Sequence, residues 1–307
     1  MDKVTIQDLQ APNHRSLSRL ITQVENNNIF QVDKFFHKTS QAIRIGITGP
    51  PGAGKSSITN ELINYFTNNN QKVGIIAVDP TSPFSGGSLL GDRVRMNQHY
   101  SNKNVFIRSL STHGHLGGLS RKAQDIGDLL AISGKDIIIF ETVGVGQGEH
   151  EIANVADLTI IVLVPEVGDE VQLMKAGVLE IGDLFIINKS DRNGAKQLTE
   201  KLKSIININK RIKRSVYNTI AKDGKGIEEL FNGILKKFNE LESSGSLLQR
   251  QLNRYKVRVR NIIKDRLLSD FWTTDKINKL DKETKSLKDL KKSPMIAANE
   301  IMDSIDL

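Results

Sequence analysis

The chain has 307 residues, a formal net charge of +8 and no cysteine. The lack of cysteine excludes disulfides, thiolate metal sites, iron–sulfur ligation and a cysteine nucleophile. Hydrophobic residues at 38% and charged residues at 25% describe a soluble globular protein, long enough for a nucleotide-binding domain of ~200 residues with appendages. No apolar run approaches the ~20 residues of a membrane span. The start, MDKVTIQDLQ, has neither an apolar nor an Arg-rich leader pattern, so a cytoplasmic location and no membrane partner are expected. Basic residues are interleaved with acids, so the positive charge reads as solvated surface and no nucleic-acid partner is expected.

In chain order, Leu17, Leu20, Ile21 and Val24 fall at i, i+3, i+4 and i+7, which predicts a helix within an N-terminal extension, residues 1–40. From Ile43 onward short β-branched runs alternate with helical patterns. The strands are expected at IRIGIT (43–48), VGIIAVD (73–79), VFIRS (105–109), DIIIFE (136–141), LTIIVLV (158–164), LFIIN (184–188) and SVYNT (215–219). Helices are expected near 56–68, 117–133, 169–180, 194–209 and 226–240. Near-continuous apolar strands belong to a sheet covered on both faces. Residues 41–241 therefore read as an α/β domain with a doubly wound, mostly parallel sheet. Beyond it lies a helical C-terminal arm, 242–307, entered through a linker-like ESSGS at 242–246. Leu248, Leu252, Tyr255, Val259, Ile262, Ile263, Leu267 and Phe271 recur at three- and four-residue steps along a long helix, and a second charged helix is expected over 284–304. That stripe must be buried on its own domain or on a second copy of the chain. Arg250, Arg254, Lys256, Arg258, Arg260, Lys264 and Arg266 on the same helix read as a solvated polar face, since no interleaved aromatics suggest base stacking.

The strand at 43–48 runs into Gly49, Pro50, Pro51, Gly52, Ala53, Gly54, Lys55, Ser56 and Ser57, which fits GxxxxGK[ST]. Glycines let the backbone N–H groups turn toward phosphate oxygens, and the helix starting near Lys55 aims its positive dipole end at the same point. Lys55 is expected on the β- and γ-phosphates and the Ser56 hydroxyl on Mg²⁺. Two later strands end in Asp79 and in Glu141-Thr142-Val143-Gly144. Strand carboxyl ends line the ligand crevice of such a sheet, so both acids are candidate metal residues. Glu141 reads as the Walker-B acid and Gly144 as a γ-phosphate-sensing hinge. Asp92, in GGSLLGDRVRM, is a third candidate for Mg²⁺ or for positioning water. For a lone Asp after a strand, helix N-capping is the competing reading.

Asn188, Lys189 and Asp191 form NKxD after the strand LFII. The Asp carboxylate would accept from guanine N1–H and the 2-amino group, and the Lys stem would pack along the ring. Adenine lacks those donors and would leave a buried acceptor unpaired. Thr219, Ile220 and Ala221 occupy the position of a second guanine loop that uses backbone N–H. GTP or GDP with Mg²⁺ is thus the expected ligand. Gly144 is followed by Val145 where small GTPases place a water-orienting Gln, so intrinsic hydrolysis is expected to be slow, with Gln147, Glu149 or a partner supplying orientation. His113 and His115 form an HxH that reads as phosphate or backbone contact rather than as a metal site.

GPPGAGKSS, VDPTSPFSGGSLLGDRVRM, HGHLGGLS, ETVGVGQGE, GDEVQLMKAGVLEIGD and NKSD, in this order, resemble the MeaB/ArgK family of P-loop GTPases, which includes the animal MMAA proteins. The resemblance covers residues 41–240 closely. It implies a GTPase chaperone that gates cofactor delivery to, and protects or reactivates, an adenosylcobalamin-dependent acyl-CoA mutase of the methylmalonyl-CoA type. It also implies a homodimer formed through C-terminal helices. By motif, Lys55, Asp79, Asp92 and Glu141 correspond to the family's active-site residues, and 165–175 to a third switch with Asp169 and Lys175 as its charged members. His113, Glu166 and Ile220 stand where the family often has Arg, Gly and Ser. A nickel-insertion GTPase and a kinase or ATPase of basic amino-acid transport are the competing functions. The first is disfavoured by six His and no Cys, the second by NKSD.

Overall fold

A computed structural model of the chain describes residues 9, 14–25, 42–79, 97–99, 101–111, 121–142, 148–165, 178–206, 214–284 and 292–302. Among the described residues seven strands form one all-parallel sheet: β1 (Ile43–Thr48), β2 (Val73–Asp79), β3 (Val105–Ser111), β4 (Ile137–Glu141), β5 (Leu158–Leu163), β6 (Leu184–Ile187) and β7 (Ser215–Asn218). Their order is β3-β2-β4-β1-β5-β6-β7, so β1 is central and the chain winds outward from it in both directions. The fold is the expected doubly wound α/β sheet.

The period of two along each strand sends alternate residues to opposite layers. Ile45 and Ile47 of β1, Ile137 and Ile139 of β4, and Leu158, Ile160 and Val162 of β5 enter one core. Helices α2 (Lys55–Asn68) and α7 (Ile227–Ser243) cover it with Ile58, Leu62 and Phe66, and with Leu230, Ile234 and Phe238. The other face splits into two cores. Ile76, Ile138 and Phe140 pack with α1 (Arg15–Glu25), α3 (Arg121–Ile132) and α4 (Gly148–Val155). Ile161, Phe185 and Ile187 pack with α6 (Ala195–Ile206), beside the one-turn helix α5 (Val178–Ile181). Both sides of β1, β4, β5 and β6 are largely apolar because both sides are covered.

Where the strands begin, a line of charged groups crosses the base of the sheet. The buried guanidinium of Arg44 pairs with Asp128 of α3. The Arg44 N–H donates to Asp157 Oδ2 at 2.9 Å. Arg250 donates to the Asp157 carbonyl and takes Asp183 in a fork, at 2.7 and 2.8 Å, while Asp183 also accepts the Thr159 N–H. That fork raises the Arg250 pKa further and fixes the start of α8 (Ser246–Phe271) to the sheet. Helix α1 is held by Glu25, which pairs with Arg108 and accepts from Lys122 through its carbonyl.

The chain forms two compact units, Met1–Gln251 and Leu252–Leu307. In the second, the rest of α8 is followed by α9 (Thr274–Glu283) and α10 (Pro294–Met302), which pack together. The Thr273 hydroxyl caps α9 by accepting from the Lys276 N–H.

The structure corrects the expectations in three places, the first being the charged helix expected over 284–304: Thr284 is a turn, residues 292 and 293 are not helical, and α10 starts only at Pro294, a residue suited to a first helical position. The linker over 242–246 is a tight turn: α7 continues to Ser243, and α8 starts at Ser246 after Gly245, whose φ of 71° permits the reversal. Helix α9 lies in a stretch assigned no helix, because its Asp and Lys residues leave only Ile277 and Leu280 as an apolar signal.

Candidate functional site

The site is built at the carboxyl ends of β1, β4 and β6. After Thr48 the chain turns through Gly49, Gly52 and Gly54, at φ 142°, 75° and 89°, into the first turn of α2. At Gly49 a Cβ would sit 2.1 Å from the Val162 carbonyl oxygen, and at Gly54 it would sit 2.2 Å from Asn188 Nδ2. Glycine is thus required twice over, by backbone region and by close approach. Nothing lies within 4 Å of a Cβ on Gly52, so that position faces open space. Lys55 is buried and its ammonium donates to the Gly49 and Pro50 carbonyls at 2.8 and 3.1 Å, arched back over the loop. No side chain caps the start of α2, which leaves its dipole end to the loop it follows.

Glu141 closes the other side. Its carboxylate is 3% exposed and accepts the Ser56 hydroxyl at Oε1, 2.6 Å, and the Thr59 hydroxyl at Oε2, 2.8 Å. Ser56 and Thr59 stand three apart on one face of α2. Beside them Thr142 Oγ1 donates to Thr48 Oγ1 at 2.7 Å, joining the ends of β4 and β1. Ser57 is exposed on the same turn. Hard oxygen donors and a buried carboxylate suit Mg²⁺, which keeps several waters and takes one or two carboxylates with substrate phosphate. Ser56 and Glu141 would hold it. No cluster of three His, Asp or Glu suited to a metal occurs among the described residues.

Asn188 organises the third loop. It is buried, with Nδ2 donating to the Ala53 carbonyl of the phosphate loop at 2.9 Å. Its Oδ1 accepts from Thr219 Oγ1 and from the Ala221 N–H, both at 3.1 Å. One amide therefore ties the loop after β1 to the loop after β7. Lys189 adopts φ 55°, a left-handed turn that redirects the chain, and Asp191 is exposed beyond it. The N–H groups of Thr219, Ile220 and Ala221 all have internal acceptors: the Ile187 and Lys225 carbonyls and Asn188 Oδ1.

Of the expected site residues, the structure brings together the phosphate loop, Ser56, Glu141, Asn188 and Thr219–Ala221. The backbone of Asp79 ends β2, two residues beyond Ala77, which pairs with Glu141. Its side chain lies outside the described residues, as do Asp92, His113, His115, Gly144, Val145, Gln147, Glu166, Asp169 and Lys175. Thr59 and the Thr48–Thr142 pair were not anticipated. The i+3 spacing of Thr59 from Ser56 was the available signal for the first.

One amide joins the glycine-rich loop after β1 to the loop after β7, the N–H groups expected to face guanine are instead taken up within the protein, and the fold is that of the P-loop GTPase class. A model for a family described as methylmalonyl Co-A mutase-associated GTPase MeaB matches residues 17–276. GTPase ArgK of Escherichia coli is 35% identical over 253 residues, covering 80% of this chain and 73% of its own. The mouse mitochondrial methylmalonic aciduria type A homolog is 35% identical over 237 residues, 75% of this chain and 57% of its own. The crystal structure of an LAO/AO transport system kinase shares the fold, with a TM-score of 0.72 at 24% identity over 97% of this chain and 95% of that one. The chain belongs to the MeaB family of GTPases.

Proposed function

We propose that this chain is a Mg²⁺-dependent GTPase chaperone that gates adenosylcobalamin loading and protects or reactivates an acyl-CoA mutase of the methylmalonyl-CoA type. The family match over 17–276 carries the reading, since that family's description names the mutase. The site supports the nucleotide half of it. The Lys55 ammonium is held against the Gly49 and Pro50 carbonyls of its own loop, so a γ-phosphate entering the cradle would meet a pre-positioned cation. Asp191 would read guanine, with Lys189 along the ring. Mg²⁺, when bound, would neutralise charge on the β- and γ-phosphates. Val145 after Gly144 leaves water orientation to Gln147, Glu149 or a partner, which suits a switch more than a metabolic enzyme.

The assignment extends to organisation: an extension over 1–40, a GTPase domain over 41–241 and a dimerising arm over 242–307. None of the residues of α8 is buried, and Leu252, Tyr255, Ile263 and Leu267 are exposed on it, which favours a second copy of the chain as the cover of that stripe. Hydrolysis measured with and without methylmalonyl-CoA mutase tests the function. A complex and a mutase-stimulated rate are expected; equal slow rates with no complex formed would overturn it. Sedimentation of the chain and of an Ile263→Asp, Leu267→Asp variant tests the dimer, with a shift to monomer expected.

A further inference from the structure

Glutamate at the end of β4 is one methylene longer than the aspartate more usual at a Walker-B position, and a longer side chain has one more rotatable bond to fix. The structure supplies the means of fixing it. Thr59, fully buried in the second turn of α2, donates to Glu141 Oε2 at 2.8 Å while Ser56 donates to Oε1 at 2.6 Å. The two hydroxyls come from one face of one helix, and each takes a different oxygen. An ionised carboxylate offers about four lone-pair sites, more than two hydroxyls occupy. A serine hydroxyl that donates its proton to a carboxylate in a hydrogen bond still keeps lone pairs for a cation.

From this geometry we propose that Thr59 is a positioning residue for Mg²⁺. It anchors the far oxygen of Glu141, so that the near oxygen and the Ser56 hydroxyl stay in register when the cation and nucleotide arrive. Ser56 faces both the metal and Glu141 and cannot hold the carboxylate alone without tying its orientation to its own. Thr59 touches neither phosphate nor metal in this role; it acts through Glu141. The inference rests on the Mg²⁺-nucleotide reading of the site, and the wild-type titration checks that reading separately.

The test is a Mg²⁺ titration of the full chain carrying N-methylanthraniloyl-GDP, read by fluorescence, alongside nucleotide affinity in EDTA and a thermal melt. Thr59→Val keeps the shape and removes the hydroxyl; Thr59→Ser keeps the hydroxyl and removes the methyl. Thr59→Val is expected to weaken Mg²⁺ about tenfold, in line with loss of a group orienting a metal ligand, with EDTA-state nucleotide affinity unchanged within about twofold. Thr59→Ser is expected to restore Mg²⁺ affinity. Unchanged Mg²⁺ affinity in Thr59→Val would overturn the proposal, as would a Thr59→Ser chain as defective as Thr59→Val, which would mark a packing role. If Thr59→Val does not fold, Thr59→Ser decides alone: wild-type Mg²⁺ affinity with a lowered melting point supports the hydroxyl, and a tenfold loss refutes it. A wild-type titration showing no Mg²⁺ effect would refute the metal reading itself rather than the role of Thr59 within it.

Discussion

Replacing Asn188 by alanine removes three hydrogen bonds at once. The groups left behind are the Ala53 carbonyl, the Thr219 hydroxyl and the Ala221 N–H, on residues that are each 5% exposed or less. A buried polar group stripped of its partner costs about 1–3 kcal/mol. The space vacated by the amide allows water or local relaxation to recover part of that. With two of the three groups uncompensated at the low end of the range, the phosphate and base loops lose about 2–3 kcal/mol of mutual preorganisation. If the nucleotide bridges those loops as proposed, the loss falls on binding: GDP affinity should drop about 30- to 150-fold. The assay is equilibrium titration with N-methylanthraniloyl-GDP at fixed Mg²⁺, with a thermal melt of the apo chain in parallel. A drop of less than about threefold with an unchanged melt would refute the reasoning, because it would mean the tie adds nothing to the preorganisation of the loops. Asn188→Asp separates donor from acceptor: it keeps Oδ1 for Thr219 and Ala221 but sets a carboxylate against the Ala53 carbonyl, so it should bind no better than Asn188→Ala.

Asp191→Asn exchanges an acceptor for an N–H at the position proposed to read guanine; GDP affinity should fall about 100-fold, and a xanthine nucleotide, with a carbonyl at C2, should compete better than GDP in displacement assays. Gly49→Ala forces a Cβ to within 2.1 Å of the Val162 carbonyl at φ 142°, so a stability loss of about 2 kcal/mol or more is expected in urea melts, together with loss of nucleotide binding. Lys135, buried against His14 Nε2 at 3.0 Å, has its pKa lowered to about 8 by desolvation first and by Lys72 second, with Asp136 opposing. The unfolded chain therefore holds the extra proton between about pH 8 and the ordinary lysine value, stability should rise across that window and be lost as pH falls back through it, and Lys135→Met should flatten the rise in melting temperature. His14, pushed down to about 4 by burial first and Lys135 second, adds a second window: stability falls as pH drops from the ordinary histidine value toward 4, and His14→Phe should remove that slope.

The central strands were legible because they are largely apolar on both faces, and the edge strand β7, with exposed Ser215 and Asn218, because Val216 and Tyr217 stand between them, so each of the seven was located within a residue or two. The phosphate loop was legible for a different reason: its glycines are dictated by backbone geometry that other residues cannot adopt, and geometry of that kind is written locally. What the sequence hid is pairing at a distance. Asn188 and Ala53 are 135 positions apart, Ser56 and Glu141 85, Arg250 and Asp183 67. They meet because the strand order places β6 two strands from β1 and β4 beside it. NKxD announced Asn188 as a nucleotide residue, but its work as the tie between two loops depends on that order, not on its neighbours in sequence. The same holds for Thr59, whose spacing from Ser56 marks a helix face but does not say that Glu141 stands opposite. A motif specifies which atoms meet the ligand; strand order specifies which atoms hold those atoms still. Substitutions at the second kind of position should therefore alter affinity and metal coupling while leaving every recognisable motif intact.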